Sequence, residues 1–310
     1  MAIEQPAVDE TEAASRPRDT AVFDALAPSA MIGVIGAGTM GAGIAQVAAV
    51  AGHRVVLYDV AEAQVGRAIA QIAAFLARDA AKGRRSEADA SAAAARVTGA
   101  TSLAACAPCG LVVEAAPERL ALKRDIFGAL EAVAAPGAIL ATNTSTLSVA
   151  AIGGGLARPE RLVGLHFFNP APLMPLVEVI RGPATDAAVV DAVIDAVRRW
   201  GKTPVLAKDT PGFIVNRVAR PFYGEALRLL GEGSADVATI DRLARDGGFP
   251  MGPFELMDLI GIDVNFAAAQ SVYDGFFQDP RFRPHPIQRA MVESGRLGRK
   301  TGRGYYDPAK

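Results

Sequence analysis

The stretch MIGVIGAGTMGAGIAQVAAVAGHRVVLYD, residues 31–59, most constrains what this chain can fold into. It opens with a short apolar run, 31–35, which is typical of a buried parallel strand. A glycine turn, a helix-forming segment and a second apolar run follow, and the second run ends at Asp59. The turn has G-x-G-x-x-G spacing, with glycines at Gly36, Gly38 and Gly41. This order of parts predicts a dinucleotide-binding unit rather than a simple packing turn.

Each part of this unit has a physical reason. Gly36 permits the tight turn, Gly38 lets the backbone approach a pyrophosphate, and Gly41 brings the helix close to the strand. The free N–H groups and the dipole at the start of the helix attract phosphate. Asp59 is placed to accept a hydrogen bond from a ribose 2′-OH and to repel a 2′-phosphate, and no basic residue follows closely. The sequence therefore favours NAD over NADP.

The alternation of strands and helices continues beyond this unit. Apolar strand-like runs alternate with helical segments, which are predicted over 118–134 and 184–200. The short strand TPVLA follows the second of these helices. The strand-like runs cover 110–118, 138–149, 161–168 and 175–180. This pattern predicts an α/β fold, a Rossmann-like doubly wound and mostly parallel sheet. Ligands in such sheets bind beyond the carboxyl ends of the strands.

The pattern changes near residues 209–211, after which we expect only helices. They are predicted over 214–230, 236–246, 254–278 and 285–295. We therefore expect a flexible tail over 1–29, an NAD-binding domain over 30–209 and an all-helical C-terminal substrate and dimerisation domain over 210–310. Its apolar residues Leu256, Leu259, Ile260 and Val264 suit either internal packing or a dimer contact.

Charge and composition exclude some functions. The net charge of −1 gives no electrostatic case for nucleic-acid binding. No apolar run is long enough to span a bilayer, and the N-terminus lacks the features of a secretory signal. Cys106 and Cys109 have the C-x-x-C spacing of redox pairs or of half a zinc site, but no second pair of ligands lies near them. We expect two reduced thiols in a cytoplasmic protein that binds no metal.

The segment GLHFFNPAPLMPLVEVI, 164–180, holds a base and an acid in otherwise apolar sequence. His166 is one of only three histidines in the chain, and Glu178 follows within the same segment. A buried carboxylate normally has a partner, so the two residues are candidates for a pair. The alternative is a hydrogen-bonded core histidine and an unrelated acid.

Several stretches together resemble the 3-hydroxyacyl-CoA dehydrogenase family. They occur in family order from about residue 31 to 307: GAGTMGAGIAQVAA, VVEAAPE, TNTSTL, GLHFFNPAPLMPLVEVI, KDTPGFIVNR, MGPFELMDLIGID and GRKTGRGYYD. The resemblance implies the two-domain fold described above, NAD as cofactor and an acyl-CoA substrate. The chain length matches that of the single-function form of the family.

The resemblance also implies roles for individual residues. His166 is implied as the acid–base residue, with Glu178 as its partner. Ser145 is implied to hydrogen-bond the reacting oxygen, and Asn216 to donate to the substrate or to the acid–base pair. Without the family, Ser145 is better explained as a turn residue and Asn216 as a residue on a helix surface. A histidine that titrates near neutral pH, oriented by a carboxylate, suits removal of a hydroxyl proton.

The implied cofactor contacts are Gly36, Gly38, Thr39, Met40, Gly41, Asp59, Glu118, Lys123, Asn143 and Lys300. Lys123 is open to a second interpretation, as a solvated residue on the surface of its helix. Lys82, in the basic run KGRR at 82–85, is implied to contact CoA phosphate, and a solvated loop is equally consistent with that run.

The implied function is NAD-dependent oxidation of a short-chain (S)-3-hydroxyacyl-CoA, such as 3-hydroxybutyryl-CoA, by a homodimer that associates through its C-terminal domain. One alternative is a 3-hydroxyadipyl-CoA dehydrogenase of aromatic-acid breakdown, in which Arg217 or Arg220 meets the distal carboxylate. A second is a non-catalytic, crystallin-like protein, in which the catalytic set would have relaxed. A third is a 2-hydroxy or sugar-acid dehydrogenase, against which the H-F-F-N-P context of His166 argues.

Overall fold

The computed structural model describes residues 26–27 and 29–307. Most of the predicted tail, 1–29, lies outside these residues, but its end is packed. Leu26 is buried in the core, and its carbonyl oxygen accepts a hydrogen bond from the guanidinium of Arg199 at 2.8 Å. The folded N-terminal domain therefore includes Leu26 and starts before the predicted boundary at residue 30.

Eight strands form one sheet in the order β3-β2-β1-β4-β5-β6-β7-β8. They are β1 Met31–Ile35, β2 Val55–Tyr58, β3 Val97–Ala100, β4 Cys109–Glu114, β5 Ile139–Thr142, β6 Leu162–Phe167, β7 Leu176–Arg181 and β8 Thr203–Lys208. All neighbouring strands are parallel except β6 and β7, which are antiparallel. The strand order reverses between β1 and β4, and in such sheets this switch point is where a dinucleotide binds.

Helices cover both faces of the sheet, as a doubly wound fold requires. Their bounds are α1 Thr39–Val50, α2 Glu62–Ala81, α3 Glu87–Ala95, α4 Leu120–Val133, α5 Val149–Gly153 and α6 Ala187–Arg199. Helices α1, α2, α3 and α6 pack in one apolar cluster with one face of the sheet. Helices α4 and α5 pack in a second cluster with the other face. The expected Rossmann-like architecture is confirmed.

The chain after β8 is helical, with its own apolar cluster. The helices are α7 Val215–Gly231, α8 Val237–Asp246, α9 Pro253–Ile260, α10 Ile262–Gly275 and α11 Pro286–Glu293. The prediction of one helix over 254–278 is wrong, because two helices are separated there by Gly261, whose φ is 106°. A helix cannot continue through that conformation, which glycine adopts far more readily than other residues. No helix among the described residues combines the length and apolarity needed to cross a membrane.

Two helical glycines give a matched test of the packing between α1 and β1. A Cβ added at Gly41 would overlap the carbonyl oxygen of Gly36, whereas a Cβ at Gly128 in α4 would have no neighbour within 4 Å. We expect Gly41→Ala to lower the free energy of unfolding by about 2 kcal/mol or more. Gly128→Ala should raise it by about 0.5–1 kcal/mol. Urea unfolding measures both, and similar effects of the two changes would contradict this packing.

Candidate active site

His166 and Glu178 form a buried pair on β6 and β7, the two strands next to the edge strand β8. They are directly opposite each other in the antiparallel register of β6 and β7, so their side chains lie on the same face. The His166 Nδ1 lies 2.7 Å from Glu178 Oε2, and both side chains are almost completely buried. With Nδ1–H donated to the carboxylate, the neutral ring keeps its lone pair on Nε2. The pair therefore has the arrangement of a general base and its orienting acid.

The second oxygen of Glu178 caps the first helix of the C-terminal half. Oε1 accepts hydrogen bonds from the backbone N–H groups of Ile214 and Val215, both at 2.9 Å, where α7 begins. These N–H groups have no partner within the helix, and the helix dipole favours an anion there. Burial raises the pKa of Glu178, but the hydrogen bonds from His166, Val215 and Ile214 outweigh it and leave the pKa below its usual value. Glu178 is therefore held as a carboxylate.

Two further predicted site residues, Asn143 and Ser145, lie on the turn after β5. The Asn143 Oδ1 accepts a hydrogen bond from the N–H of Phe167, next to His166, at 2.8 Å. The Asn216 Nδ2, on α7, donates to the carbonyl oxygen of Ser145 at 3.2 Å. These bonds bring the ends of β5 and β6 and the start of α7 together. Ser145, His166, Glu178 and Asn216, far apart in the sequence, are thereby joined in one site between the two halves of the chain.

Glu118 and Lys123 lie behind this turn. Glu118 Oε1 accepts hydrogen bonds from the Thr144 hydroxyl at 2.6 Å and from the Ser145 N–H at 2.8 Å. Lys123 does not lie on a solvated helix surface. Its side chain is completely buried, and its Nζ contacts Glu114 Oε1 at 2.7 Å. Glu114 was not among the residues predicted from the sequence, although an acid that ends an apolar strand, as in VVE, was a signal.

The glycine turn has the shape that a pyrophosphate requires. Gly36 has a φ of 97°, and a Cβ there would lie 2.8 Å from the carbonyl oxygen of Ala115. A Cβ on Gly38 would point into open space, with no neighbour within 4 Å. Helix α1 begins at Thr39 with no acid in its first turn, and Met40 follows within that turn. Its N–H groups therefore remain available to a phosphate anion.

The Asp59 carboxylate lies beside this turn, at the end of β2. Its Oδ2 accepts a hydrogen bond from the Ala37 N–H at 2.9 Å, and its Oδ1 accepts one from the Ala61 N–H at 3.1 Å. Both bonds fix the carboxylate next to the glycine turn. This arrangement fits the ribose-binding role that the sequence suggested for Asp59.

We expect Asp59→Asn to lower the preference for NADH over NADPH by roughly tenfold, because it removes the charge that repels a 2′-phosphate. Fluorescence titration with both cofactors measures the two dissociation constants. Asp191→Asn, on the exposed surface of α6, is the control and should leave their ratio unchanged. An unchanged ratio in Asp59→Asn would contradict the proposed role.

The remaining candidates, Lys300 and Lys82, have no hydrogen bond or ion pair to His166 or Glu178 among the described residues. Lys300 forms an ion pair with Asp263 of α10 at 2.6 Å, and none of its hydrogen bonds or ion pairs among the described residues reaches the glycine turn. Lys82 is exposed at the end of α2. The neighbouring Arg84 is paired with Asp79 at 3.0 Å, which partly neutralises the basic run.

The two cysteines do not form a recognisable site. Cys106 and Cys109 are free and almost completely buried, and both lie close to Gly33 in the core. Across residues 29–307, no group of three or more His, Cys, Asp or Glu side chains is placed to hold a metal ion. The geometry supports a structural role for the two thiols.

Known proteins similar to this chain belong to one family. A model of the 3-hydroxyacyl-CoA dehydrogenase NAD binding domain matches residues 31–210, and a model of the C-terminal domain matches 212–308. The chain is 45% identical over 277 residues to a 3-hydroxybutyryl-CoA dehydrogenase of Bradyrhizobium diazoefficiens, covering 89% of this chain and 94% of that protein. It is 50% identical over 277 residues to a 3-hydroxyadipyl-CoA dehydrogenase of Escherichia coli, covering 89% of this chain but only 58% of that protein.

A solved structure of similar length has the same fold. The crystal structure of (S)-3-hydroxybutyryl-CoA dehydrogenase from Ralstonia eutropha matches with a TM-score of 0.87 and 41% identity, covering 91% of this chain and all of that one. The two family models together account for both halves of the fold, so the chain belongs to the 3-hydroxyacyl-CoA dehydrogenase family and uses NAD as its cofactor.

Proposed function

We propose that this protein oxidises short-chain (S)-3-hydroxyacyl-CoA thioesters, such as 3-hydroxybutyryl-CoA, to 3-oxoacyl-CoA and catalyses the reverse reaction. The observation that carries the proposal is the buried pair of His166 and Glu178, 2.7 Å apart, between the two halves of the chain. The names of the relatives from Bradyrhizobium and Ralstonia support the short-chain substrate.

The proposed chemistry divides the two hydrogens of the alcohol. NAD, when bound, supplies the acceptor for the hydride that leaves C3. His166 takes the hydroxyl proton at Nε2, and Glu178 stabilises the imidazolium that forms. In the reverse direction, the imidazolium returns the proton to the carbonyl oxygen.

Ser145 and Asn216 are proposed to bind the substrate beside this pair. The Ser145 hydroxyl is suited to hydrogen-bond the reacting oxygen, whose charge changes during the reaction. The bond from Asn216 Nδ2 to the Ser145 carbonyl ties α7 to the turn that carries the serine. Lys82, exposed at the end of α2, is proposed to attract the phosphates of CoA.

Turnover of acetoacetyl-CoA tests the proposal. We expect purified protein to consume NADH when acetoacetyl-CoA is added, and to consume NADPH much more slowly. Acyl chains of increasing length then give the chain-length preference. Folded protein that binds NADH but does not reduce acetoacetyl-CoA would contradict the short-chain assignment.

The dicarboxylic substrate 3-hydroxyadipyl-CoA is a second candidate, favoured by the name of the E. coli relative. The two arginines proposed for its distal carboxylate differ in the structure. Arg220 is buried and donates to the carbonyl oxygen of Asn265 at 2.8 Å, and burial lowers its pKa to about 10. Arg217 is exposed, with its guanidinium 5.0 Å from the centre of the Phe276 ring. Arg217 is therefore the more accessible of the two.

We expect Arg217→Ala to lower kcat/KM for 3-hydroxyadipyl-CoA by roughly tenfold more than for 3-hydroxybutyryl-CoA. Arg220→Ala should impair both substrates alike, because its guanidinium is already bonded within the protein. Kinetics on the two thioesters measure both effects, and each substrate serves as the control for the other. Equal losses in Arg217→Ala would make the arginine hypothesis wrong.

The same site argues against a non-catalytic, crystallin-like role. A protein without catalysis has no need to keep a carboxylate buried against a histidine, since unpaired or imperfect burial of charge is costly.

We also propose that the C-terminal helices associate with a second copy of the chain. Leu259, Ile260 and Val264, on α9 and α10, are exposed large apolar side chains. Sedimentation tests this, and a monomer at all concentrations would contradict it.

A further inference from the structure

A buried arginine lies against Asn216, one of the residues proposed to bind the substrate. Arg220 is on α7, four residues after Asn216, and it is only 7% exposed. None of its hydrogen bonds among the described residues goes to a carboxylate. A buried charge without an opposite charge beside it is costly, so its presence at this point of the helix calls for an explanation.

We propose that Arg220 is a positioning residue for the reaction: it fixes the side-chain amide of Asn216 so that the NH2 group faces Ser145 and the substrate. The inference rests on the proposed function, in which Asn216 binds the substrate beside the pair of His166 and Glu178. Arg220 acts through Asn216 and makes no contact of its own with the reacting atoms.

One side of the Arg220 guanidinium is held by α10. Its Nη1 donates to the carbonyl oxygen of Asn265 at 2.8 Å and to the Asn265 Oδ1 at 3.4 Å. Asn265 is itself fixed, because the same Oδ1 accepts a hydrogen bond from the Nε2 of Gln288, on α11, at 2.8 Å. The ring of Tyr223 packs against the guanidinium, with 5.0 Å between the Arg220 Cζ and the ring centre. Asn265 and Gln288 are both buried, so water does not compete for these bonds.

The other side of the guanidinium faces Asn216. Its Nε donates to the Asn216 carbonyl oxygen at 3.2 Å, and its Nη2 donates to the Asn216 Oδ1 at 3.4 Å. A guanidinium has only donors, so it selects the oxygen of the amide. The amide nitrogen then points away from Arg220 and donates to the carbonyl oxygen of Ser145, which has only lone pairs to offer, at 3.2 Å. The two neighbours of the amide therefore favour the same orientation.

This orientation suits the role proposed for Asn216. Its NH2 group has two hydrogens, and the bond to the Ser145 carbonyl uses one of them. The second hydrogen is left to donate to the substrate. Without Arg220, the bond to Ser145 would be the remaining hydrogen bond of the Asn216 side chain among the described residues, and the amide could swing away from the site. A misplaced donor lowers turnover more than it lowers cofactor binding.

Arg220→Met separates this role from a contribution to stability. The carbonyl groups of Asn216 and Asn265 lie within α7 and α10, where backbone N–H groups also bind them, so an apolar side chain leaves neither carbonyl unpaired. We expect the urea midpoint of Arg220→Met to stay within about 0.5 M of the wild type. The kcat for acetoacetyl-CoA should fall by roughly tenfold or more, and the NADH dissociation constant should change by less than about threefold. Arg289→Met, on the exposed surface of α11, is the control and should resemble the wild type in all three.

A double-mutant cycle in kcat shows whether Arg220 acts through Asn216. We expect Asn216→Ala to lower kcat by roughly a hundredfold. Adding Arg220→Met to that variant should change kcat by less than about threefold, because the side chain that Arg220 orients is already gone. Losses that multiply, to roughly a thousandfold in the double variant, would show that Arg220 acts independently of Asn216 and would overturn the proposal. A wild-type kcat in Arg220→Met would overturn it as well.

A second measurement reads the Asn216 amide without substrate or cofactor. The chain has four asparagines, so isotopic labelling of asparagine alone gives few side-chain NH2 signals in a nuclear magnetic resonance spectrum, and Asn216→Ala identifies those of Asn216. In Arg220→Met we expect these signals to shift and their exchange with water to become at least roughly tenfold faster. Signals and exchange equal to those of the wild type would refute the positioning role.

This measurement also distinguishes failure of the inference from failure of the proposed function. Wild-type protein that does not reduce acetoacetyl-CoA contradicts the function, and the Asn216 signals still show whether Arg220 holds the amide. If Arg220→Met does not fold, Arg220→Lys takes its place, because a lysine keeps the charge but lacks the fork that spans Asn216 and Asn265. Unchanged signals and unchanged kcat in Arg220→Lys would then refute the proposal.

Discussion

Replacing His166 with alanine should lower kcat for acetoacetyl-CoA reduction by about a thousandfold. The ring is buried and its Nδ1 is bound to Glu178 at 2.7 Å, so Nε2 is the nitrogen left to exchange a proton with the substrate. Without it, the carbonyl oxygen has no positioned proton donor. NADH binding should change by less than about threefold, because the glycine turn and Asp59 are untouched. Stopped-flow absorbance and fluorescence titration measure the two quantities.

A second histidine provides the control for this change. His285 precedes α11, where its Nδ1 accepts a hydrogen bond from the Ile287 N–H at 3.2 Å. His285→Ala removes a helix cap, which affects stability modestly, and should leave kcat within about twofold of the wild type. A His166→Ala variant that keeps the wild-type kcat would contradict the proposed role of His166 in proton transfer.

Glu178→Gln should lower kcat for the oxidation of 3-hydroxybutyryl-CoA by about a hundredfold or more, although the shape of the side chain is nearly unchanged. The backbone N–H groups of Ile214 and Val215 require an acceptor, so the amide oxygen should remain on them. The amide NH2 then faces His166 and donates to Nδ1, which moves the ring proton to Nε2. The neutral histidine can no longer accept a proton where the substrate lies.

Glu178→Gln should also change how stability depends on pH. The pKa of Glu178 is lower in the folded protein than its ordinary value of 4.5. Its contribution to the free energy of unfolding is therefore complete above about pH 4.5 and is lost as the pH falls through the folded pKa. Urea unfolding at several pH values should show a smaller loss on acidification in Glu178→Gln than in the wild type. Glu225→Gln, an exposed change on α7, is the control. Identical pH profiles for all three proteins would contradict the lowered pKa.

The unit at 31–59 shows what local sequence can predict. The strand Met31–Ile35, the glycine turn and the helix that follows are each determined by neighbouring residues. Gly41 makes its close contact, with the Gly36 carbonyl oxygen, within one β-α-β unit, and the positive φ of Gly36 is a property of the turn itself, so spacing alone was sufficient for both. The candidate residues of the site were likewise identifiable, because the motifs that contain them are specific to one family.

Other features depend on contacts between distant segments. The sequence contains His166 and Glu178, but only the antiparallel pairing of β6 and β7 places them opposite each other. Lys123 lies on an amphipathic helix, where a lysine is usually solvated, and its burial follows from Glu114 at the end of another element. Gly261 lies in a continuous apolar pattern, and an isolated glycine within such a pattern does not by itself predict a break.

Isotope transfer tests the central claim most directly. Reduction of acetoacetyl-CoA with NADH that is deuterated at the transferred position should place deuterium on C3 of the product. Mass spectrometry should find one deuterium per molecule at that carbon, and chiral analysis should find the S configuration. A product without deuterium at C3, or no product from protein that binds NADH, would contradict the proposed hydride transfer at the site of His166 and Glu178.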